Sequence, residues 1–296
     1  MFCDTIETMS EDKYTATWVS HSSIGDFLTC PRAYYLKNMY RNPAGHKVKI
    51  MSPPLALGAA VHEVLESLSN IPVEERFNVS LIEKYHLIWE KYAGKKGGFL
   101  SAESETEYLH RGETMLNRVM KYPGPLNKLA VKIKMNLPYY WLSKKDNIIL
   151  CGKIDWLEYL PDTDSVHIID FKTSKNEEED GSLQLPIYCL LAKNCQTKRV
   201  AKVSYWYIGR SNELTEEAMP NAEEEELRIL EIAKKIKLAR QLNVFKCPHK
   251  IGCHACRPYE AILKGDAQHV GQGSYKEDIY VLDASSGESK EKSVIL

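Results

Sequence analysis

The sequence predicts an α/β domain: a mixed central β-sheet flanked by helices. Three observations carry that prediction. Helical periodicity fills the first part of the chain, strand-like runs take over near residue 126, and a helix, a strand and a long helix close the series. That order of elements suits one sheet with parallel and antiparallel pairs. With 296 residues the chain is long enough for one large domain with helical additions. We expect an N-terminal arm over 1–19, a single domain over 20–264, and a polar, partly mobile tail over 265–296. Within the domain, 20–125 are mainly helical, 126–210 hold the sheet, and 211–264 hold a helix and a cysteine cluster.

Each element has its own signal. In "SHSSIGDFLTC" the leading Ser and His suit a cap, and Ile24, Phe27 and Leu28 recur at helical spacing. Pro31 restricts Cys30, so a second helix is expected from Arg32 to Tyr40. "LALGAAVHEVLESLS" sets Leu57, Val61, Val64, Leu65 and Leu68 on one stripe, and further helices are expected over roughly 79–93 and 102–121. "LAVKIKMNLPYYWL" alternates Val131, Ile133 and Met135 with lysines, as a half-exposed strand does. "NIILCGKIDWLEYL" and "SVHIIDF" read as two strands joined by the turn-forming "PDTDS". A helix over "SLQLPIYCLLAKN", a strand over "RVAKVSYWYIG" and a helix from about 221 to 242 complete the set. The stretch "DASSGESKEKSV" is expected to be mobile.

Composition narrows the function classes. Apolar residues at 44% and charged residues at 27% are ordinary for a globular protein. No apolar run reaches the roughly 18 residues of a spanning helix, and the start lacks a basic-then-apolar secretory pattern. We therefore expect an intracellular protein, cytoplasmic or nucleoid-associated, with no membrane partner. The net charge is −1, so any nucleic-acid affinity must come from a local patch. Between Phe27 and Pro54 lie Arg32, Lys37, Arg41, Lys47 and Lys49 and no acid, a run that by itself reads first as a solvated helix face.

The residues that carry chemistry lie at the strand ends. Asp155 and Asp170 sit in the two strands around "PDTDS", where an antiparallel hairpin brings their carboxylates to one sheet edge. Paired carboxylates suit a hard divalent cation such as Mg²⁺. Lys172, two residues after Asp170, shares its strand face and can aim an ammonium at the same water or phosphate. Two acids and a lysine so arranged serve phosphodiester hydrolysis, while a hairpin bearing three surface charges looks the same in sequence. Gly58, His62 and Glu66 are spaced four apart on one helix face, and Gln184 and Tyr188 share another; each set also suits plain packing.

Taken together, Gly58-x-x-x-His62-x-x-x-Glu66, Gly152-x-x-Asp155, Asp170-Phe171-Lys172 and Gln184-x-x-x-Tyr188 resemble the PD-(D/E)XK nucleases, specifically the RecB-like branch with AddB and the CRISPR-adaptation nucleases. The opening "SSIGDFLTCPRAYYLKNMY" resembles the family's entry segment, and the likeness spans about residues 20–262. It implies a restriction-endonuclease-like core. It also implies Mg²⁺ or Mn²⁺ on Asp155, Asp170, the Phe171 carbonyl and His62, and a water activated or placed by Lys172. Glu66 would orient the site, and Gln184 and Tyr188 would position the strand or the lysine. The implied substrate is DNA, at ends or in single strands. Any unwinding falls to a helicase or other assembly partner, because no G-x-x-x-x-G-K-[ST] loop occurs. A non-catalytic nucleic-acid-binding subunit on the same fold is the alternative.

Eight cysteines in such a chain point to metal or redox use before disulfides. Cys247, Cys253 and Cys256, with remote Cys30, give four soft ligands suited to Zn²⁺ or an iron–sulfur cluster. The resemblance favours a 4Fe–4S cluster over zinc. The late cysteines depart from the family's spacing, because Ile262 stands where a third cysteine follows the Cys-x-x-Cys pair and Cys247 precedes it instead. Either centre would fasten the N-terminal helices to the C-terminal segment. Beside Cys30, the basic residues interleave with Tyr34, Tyr35 and Tyr40, which makes Arg32, Tyr35, Lys37 and Arg41 candidate nucleic-acid contacts.

Overall fold

The computed structural model describes residues 12–273 and 276–282. Strand β1 (Thr17–Val19) leads into α1 (His21–Thr29), whose start is fixed reciprocally: Ser23 N–H donates to Ser20 Oγ and Ser20 N–H to Ser23 Oγ. Cys30 is the junction to α2 (Pro31–Tyr34), as Pro31 predicts. The expected helix to Tyr40 does not stay α-helical; Tyr35–Met39 form a π-helical turn. After β2 (Lys47–Ile50) come α3 (Pro53–Ser67), α4 (Leu81–Trp89) and α5 (Ala102–Lys121). Two prolines open α3, where first-turn N–H groups have no helical acceptor, and Ser80 and Ser101 cap α4 and α5.

The remaining strands are β3 (Tyr139–Ser143), β4 (Ile148–Cys151), β5 (Trp156–Leu160) and β6 (Ser165–Lys172). Helix α6 (Gln184–Cys195) crosses to β7 (Arg199–Tyr207), followed by β8 (Thr215–Glu217), α7 (Ala222–Leu242), α8 (Arg257–Lys264), β9 (Ala267–Gly273) and β10 (Glu277–Leu282). The architecture is mixed α/β as expected, but the strands among the described residues form three sheets, ordered β1-β4-β3, β2-β10-β9 and β5-β6-β7-β8. The last is the mixed sheet: β5 and β6 are antiparallel, β6 and β7 parallel, β7 and β8 antiparallel.

Strand β6 is buried from Ser165 to Phe171, because it lies between two layers. Ile168 on one face packs with α6 and α7 through Leu190, Leu191 and Ile229. Ile169 and Phe171 on the other face pack with α3, α4 and α5 through Leu57, Tyr85 and Leu116. The sheet's strand alternation and the helices' apolar stripes thus meet as their periods require.

Three expectations are corrected. The segment around Val131 and Ile133 is not a strand: it makes one bridge, Ala130 with Glu158, and runs irregularly to Pro138. The stretch expected as one strand over "NIILCGKIDWLEYL" is two, β4 and β5, in different sheets, with Asp155 in the break ahead of β5. The polar segment after Gly265 contains β9 and β10; β10 pairs with both β2 and β9 and buries Val281. The stretch "DASSGESKEKSV" lies outside the described residues.

Candidate active site and cysteine cluster

The β5–β6 ladder ends at Trp156 opposite Ile169, so Asp155 falls opposite Asp170, one step past the last pair. Asp155 Oδ2 there accepts the Phe171 N–H at 2.9 Å and lies 3.3 Å from His62 Nδ1 of α3. Asp170 is 1% exposed, and burial first, then the Asp155 charge, lifts its carboxyl to about 7. Its Oδ1 accepts an N–H of Gln184 at 2.6 Å; its buried Oδ2 accepts no hydrogen bond, although the Lys172 ammonium stands 3.0 Å away. Lys172 also pairs with Glu178 at 2.7 Å and donates to the Gln184 side-chain carbonyl. Burial works against the Lys172 charge, but Asp170 and Glu178 outweigh it and hold the ammonium protonated. For His62, burial favours the neutral ring and the Asp155 carboxylate reverses the balance, raising its pKa.

The donors suit a hard cation. Ligand atoms of His62, Glu66 and Asp155 lie within 4.8 Å of one another, and Asp170 adds a buried carboxylate oxygen, ion-paired with Lys172, on the same cleft. Glu66 also pairs with Lys153. Tyr188 lies 3.3 Å from the Gln184 amide, and burial holds its hydroxyl protonated. Gly58 allows α3 to approach the strand end, where an added Cβ would sit 3.3 Å from Thr173 Oγ1. Every residue predicted for this site except Glu66 thus converges on one cleft, and Glu66 joins through His62 and Asp155.

A family model described as the PD-(D/E)XK nuclease superfamily matches residues 18–262. The chain belongs to the PD-(D/E)XK nuclease superfamily. No curated protein matches it. Membership makes the chain a metal-dependent nuclease, a hydrolase of nucleic acid. Among the described residues no helix is long and apolar enough to cross a membrane.

This PD-(D/E)XK nuclease has one site residue that sequence reasoning missed, Glu178. It sits in the acidic loop "NEEEDG", where nothing local distinguishes it, and only its ion pair with Lys172 singles it out. A second polar chain invites a hydrolase reading: His167 sits 3.0 Å from Glu158 and 2.8 Å from Ser204. All three are buried within β5, β6 and β7, so they bind the sheet together and meet no substrate.

The four predicted cysteines also converge. The sulfurs of Cys30, Cys247, Cys253 and Cys256 lie within 4.8 Å of one another, and those of Cys253 and Cys256 are 3.8 Å apart. Backbone N–H groups of Ala33, His249 and Cys253 point at Cys30, Cys247 and Cys256 at 3.5, 3.4 and 3.3 Å. Burial drives the Cys30 thiol up to about 12; at Cys253 burial also acts upward, but donors from Cys256 and Ala255 prevail and bring it to about 7. Four sulfurs supplied with backbone donors suit a thiophilic metal centre.

The basic patch near Cys30 is largely neutralised. Arg32 pairs with Glu260 at 2.5 Å, Lys37 with Asp26 at 2.6 Å and Lys49 with Glu277 at 3.7 Å. Arg41 donates to the carbonyls of Asn38, Met39 and Tyr40. Tyr34 is buried, and Tyr35 packs on Phe245 at 5.2 Å.

Proposed function

We propose that the chain is a Mg²⁺- or Mn²⁺-dependent deoxyribonuclease of the RecB-like branch, acting as an exonuclease on DNA ends or single strands, with residues 20–264 as its catalytic domain. The observation that carries this reading is the buried Asp170 carboxylate, set with Asp155 and His62 beside the Lys172 ammonium in an open cleft. Asp155, Asp170, His62 and the Phe171 carbonyl are the residues to hold the ion, with Glu66 beside them. A bound divalent ion would supply a water of lowered pKa and a counter-charge for the phosphorane-like transition state. Lys172, whose charge its two acids favour, would place the attacking water and offset phosphate charge. Gln184 fixes Asp170 and Lys172 relative to each other, and Tyr188 supports Gln184. Arg32, Tyr35, Lys37 and Arg41 enter as a second place for backbone contacts, a role their sequence pattern supports and their ion pairs weaken.

End-labelled single- and double-stranded oligonucleotides, incubated with Mg²⁺ and with Mn²⁺, test the proposal. Cleavage from an end by wild type, lost in Asp170→Ala with binding retained, is the expected result. A wild type that binds and never cuts would make the chain a non-catalytic subunit of an assembly.

The cysteine centre has two readings. Resemblance supports a structural 4Fe–4S cluster. The sulfur spacing supports a single tetrahedral ion: Zn–S bonds of about 2.3 Å set sulfurs roughly 3.8 Å apart, and the Cys253–Cys256 pair stands at 3.8 Å. A cubane needs wider sulfurs, because four irons stand between them. Anaerobic purification with an iron and zinc assay and a visible spectrum decides between the two.

A further inference from the structure

The cleft that holds Asp155 and Asp170 is the middle of three. It shares Thr173 and Ser174 with a second cleft between α5 and the ends of β6 and β7, and it shares Asp155 with a third beside Lys132 and Lys153. The second cleft, about 610 Å³, is larger than the central one at about 340 Å³, so it has room for more than the reacting group. Its wall carries Arg111 and His110 from α5, Lys175 after β6 and Arg210 after β7, against one carboxylate, Glu107. His110 is paired with Glu113 and Arg210 with Glu177, at 2.9 and 2.7 Å. Arg111 and Lys175 have no carboxylate partner among the described residues; Arg111 rests only on the Tyr108 ring, 4.7 Å from its centroid. Two uncommitted cations beside a phosphodiester-cutting centre, in a chain of net charge −1, are a local positive site in a neutral field.

We propose that this second cleft seats the strand flanking the scissile phosphodiester, and that Arg111 and Lys175 hold its backbone phosphates. The proposal rests on the nuclease reading above. Phosphate contacts set register without reading bases, which agrees with an enzyme that works from ends. Because sugar plays no part, DNA and RNA strands share the chemistry at this cleft. The N-terminal patch contrasts with it, since Arg32 and Lys37 are already spent on Glu260 and Asp26.

The test is fluorescence anisotropy of labelled single-stranded DNA, single-stranded RNA and duplex DNA, titrated across salt in an Asp170→Ala background. Adding Arg111→Ala with Lys175→Ala is expected to weaken binding of each strand it recognises roughly tenfold. The slope of log affinity on log salt should become shallower by about 1.4 for single strands and about 1.8 for duplex, because two phosphates are no longer neutralised. Lys198→Ala with Lys202→Ala, two surface cations paired with Asp164 and Glu216, should leave both quantities unchanged. Wild-type affinity and slope in the Arg111/Lys175 double variant would overturn the proposal while leaving the nuclease reading intact. So would a drop of equal size in the Lys198/Lys202 variant. A wild type that neither cuts with Mn²⁺ nor binds any of the three strands would overturn both. Lys175 is exposed and Arg111 half-buried, and matching thermal unfolding of the variants separates a missing cation from a damaged fold.

Discussion

Replacing Asp170 by Asn should make the metal-free protein more stable above neutral pH. Asp170 is 1% exposed, and its carboxyl titrates at about 7 against an ordinary 3.8. Above pH 7 the folded protein must hold an ionised carboxylate that the unfolded chain holds in water, so this side chain opposes folding. The gap, at about 1.4 kcal/mol per pH unit, amounts to at most about 4 kcal/mol. As pH falls through 7 the folded carboxyl takes a proton before the unfolded one does, and the penalty shrinks until it vanishes near pH 4. Asn keeps an oxygen for the Gln184 amide, and Lys172 keeps Glu178 as its counter-ion. Thermal unfolding in EDTA should therefore show Asp170→Asn melting roughly 8 °C above wild type at about pH 8, with the difference gone near pH 4. Added Mn²⁺ should raise the wild-type midpoint and leave the variant's in place. A variant no more stable than wild type at pH 8 would refute the claim that the fold holds this carboxylate against its preference, in readiness for a cation.

Gln184→Ala removes the amide between Asp170 and Lys172, and a lost buried hydrogen bond of about 1–3 kcal/mol predicts a fall in single-turnover cleavage of roughly 10- to 100-fold, with oligonucleotide affinity nearly unchanged; an unaltered rate sinks the positioning role. His167→Ala should destabilise the fold by about 2–4 kcal/mol in chemical denaturation, because it leaves Glu158 buried with Lys128 as its remaining ion-pair partner, while cleavage per folded molecule stays at the wild-type level. Cys253→Ser should release the metal of the cysteine centre, lower the melting midpoint and expose the segment after α7 to proteolysis, all without abolishing Mn²⁺ binding at Asp155 and Asp170; unchanged proteolysis would show that the centre staples nothing.

Much of the candidate site was legible in sequence because strand and helix periods are local rules. Asp170 and Lys172 share a face by the two-residue repeat, His62 follows Gly58 by one helical turn, and both spacings survive folding intact. Elements whose stability is borrowed were not legible. Strand β9 contains Gly, His and Gln where a strand signal wants alternating apolar residues, and β10 offers only the short run Ile279 to Leu282; both are held because β10 finds the β2 edge. The basic patch misled for the opposite reason: its local run has no acid, yet Glu260 and Glu277 reach it from more than 200 residues away. Glu178 was hidden because a carboxylate in an acidic loop looks like every other until Lys172 is seen to choose it.

The break between β4 and β5 explains why the site is where it is. Had "NIILCGKIDWLEYL" formed one continuous strand, the N–H of Phe171 would face a ladder carbonyl. Because β5 begins only at Trp156, that donor is released just past the last pair, and the Asp155 carboxylate takes it at 2.9 Å. The same carboxylate is thereby pinned opposite Asp170 while its other oxygen stays free. Gly152 lies in the break and lets it pass close to α6, since a Cβ there would stand 2.9 Å from Leu191 Cδ1 and the leucine would have to turn aside. On the far side, Gln184 is the first residue of α6 and meets Asp170 and Lys172 with both ends of its amide. Two interrupted elements, a strand that starts late and a helix that starts beside it, thus supply the polar groups that a continuous sheet would consume in its own hydrogen bonds.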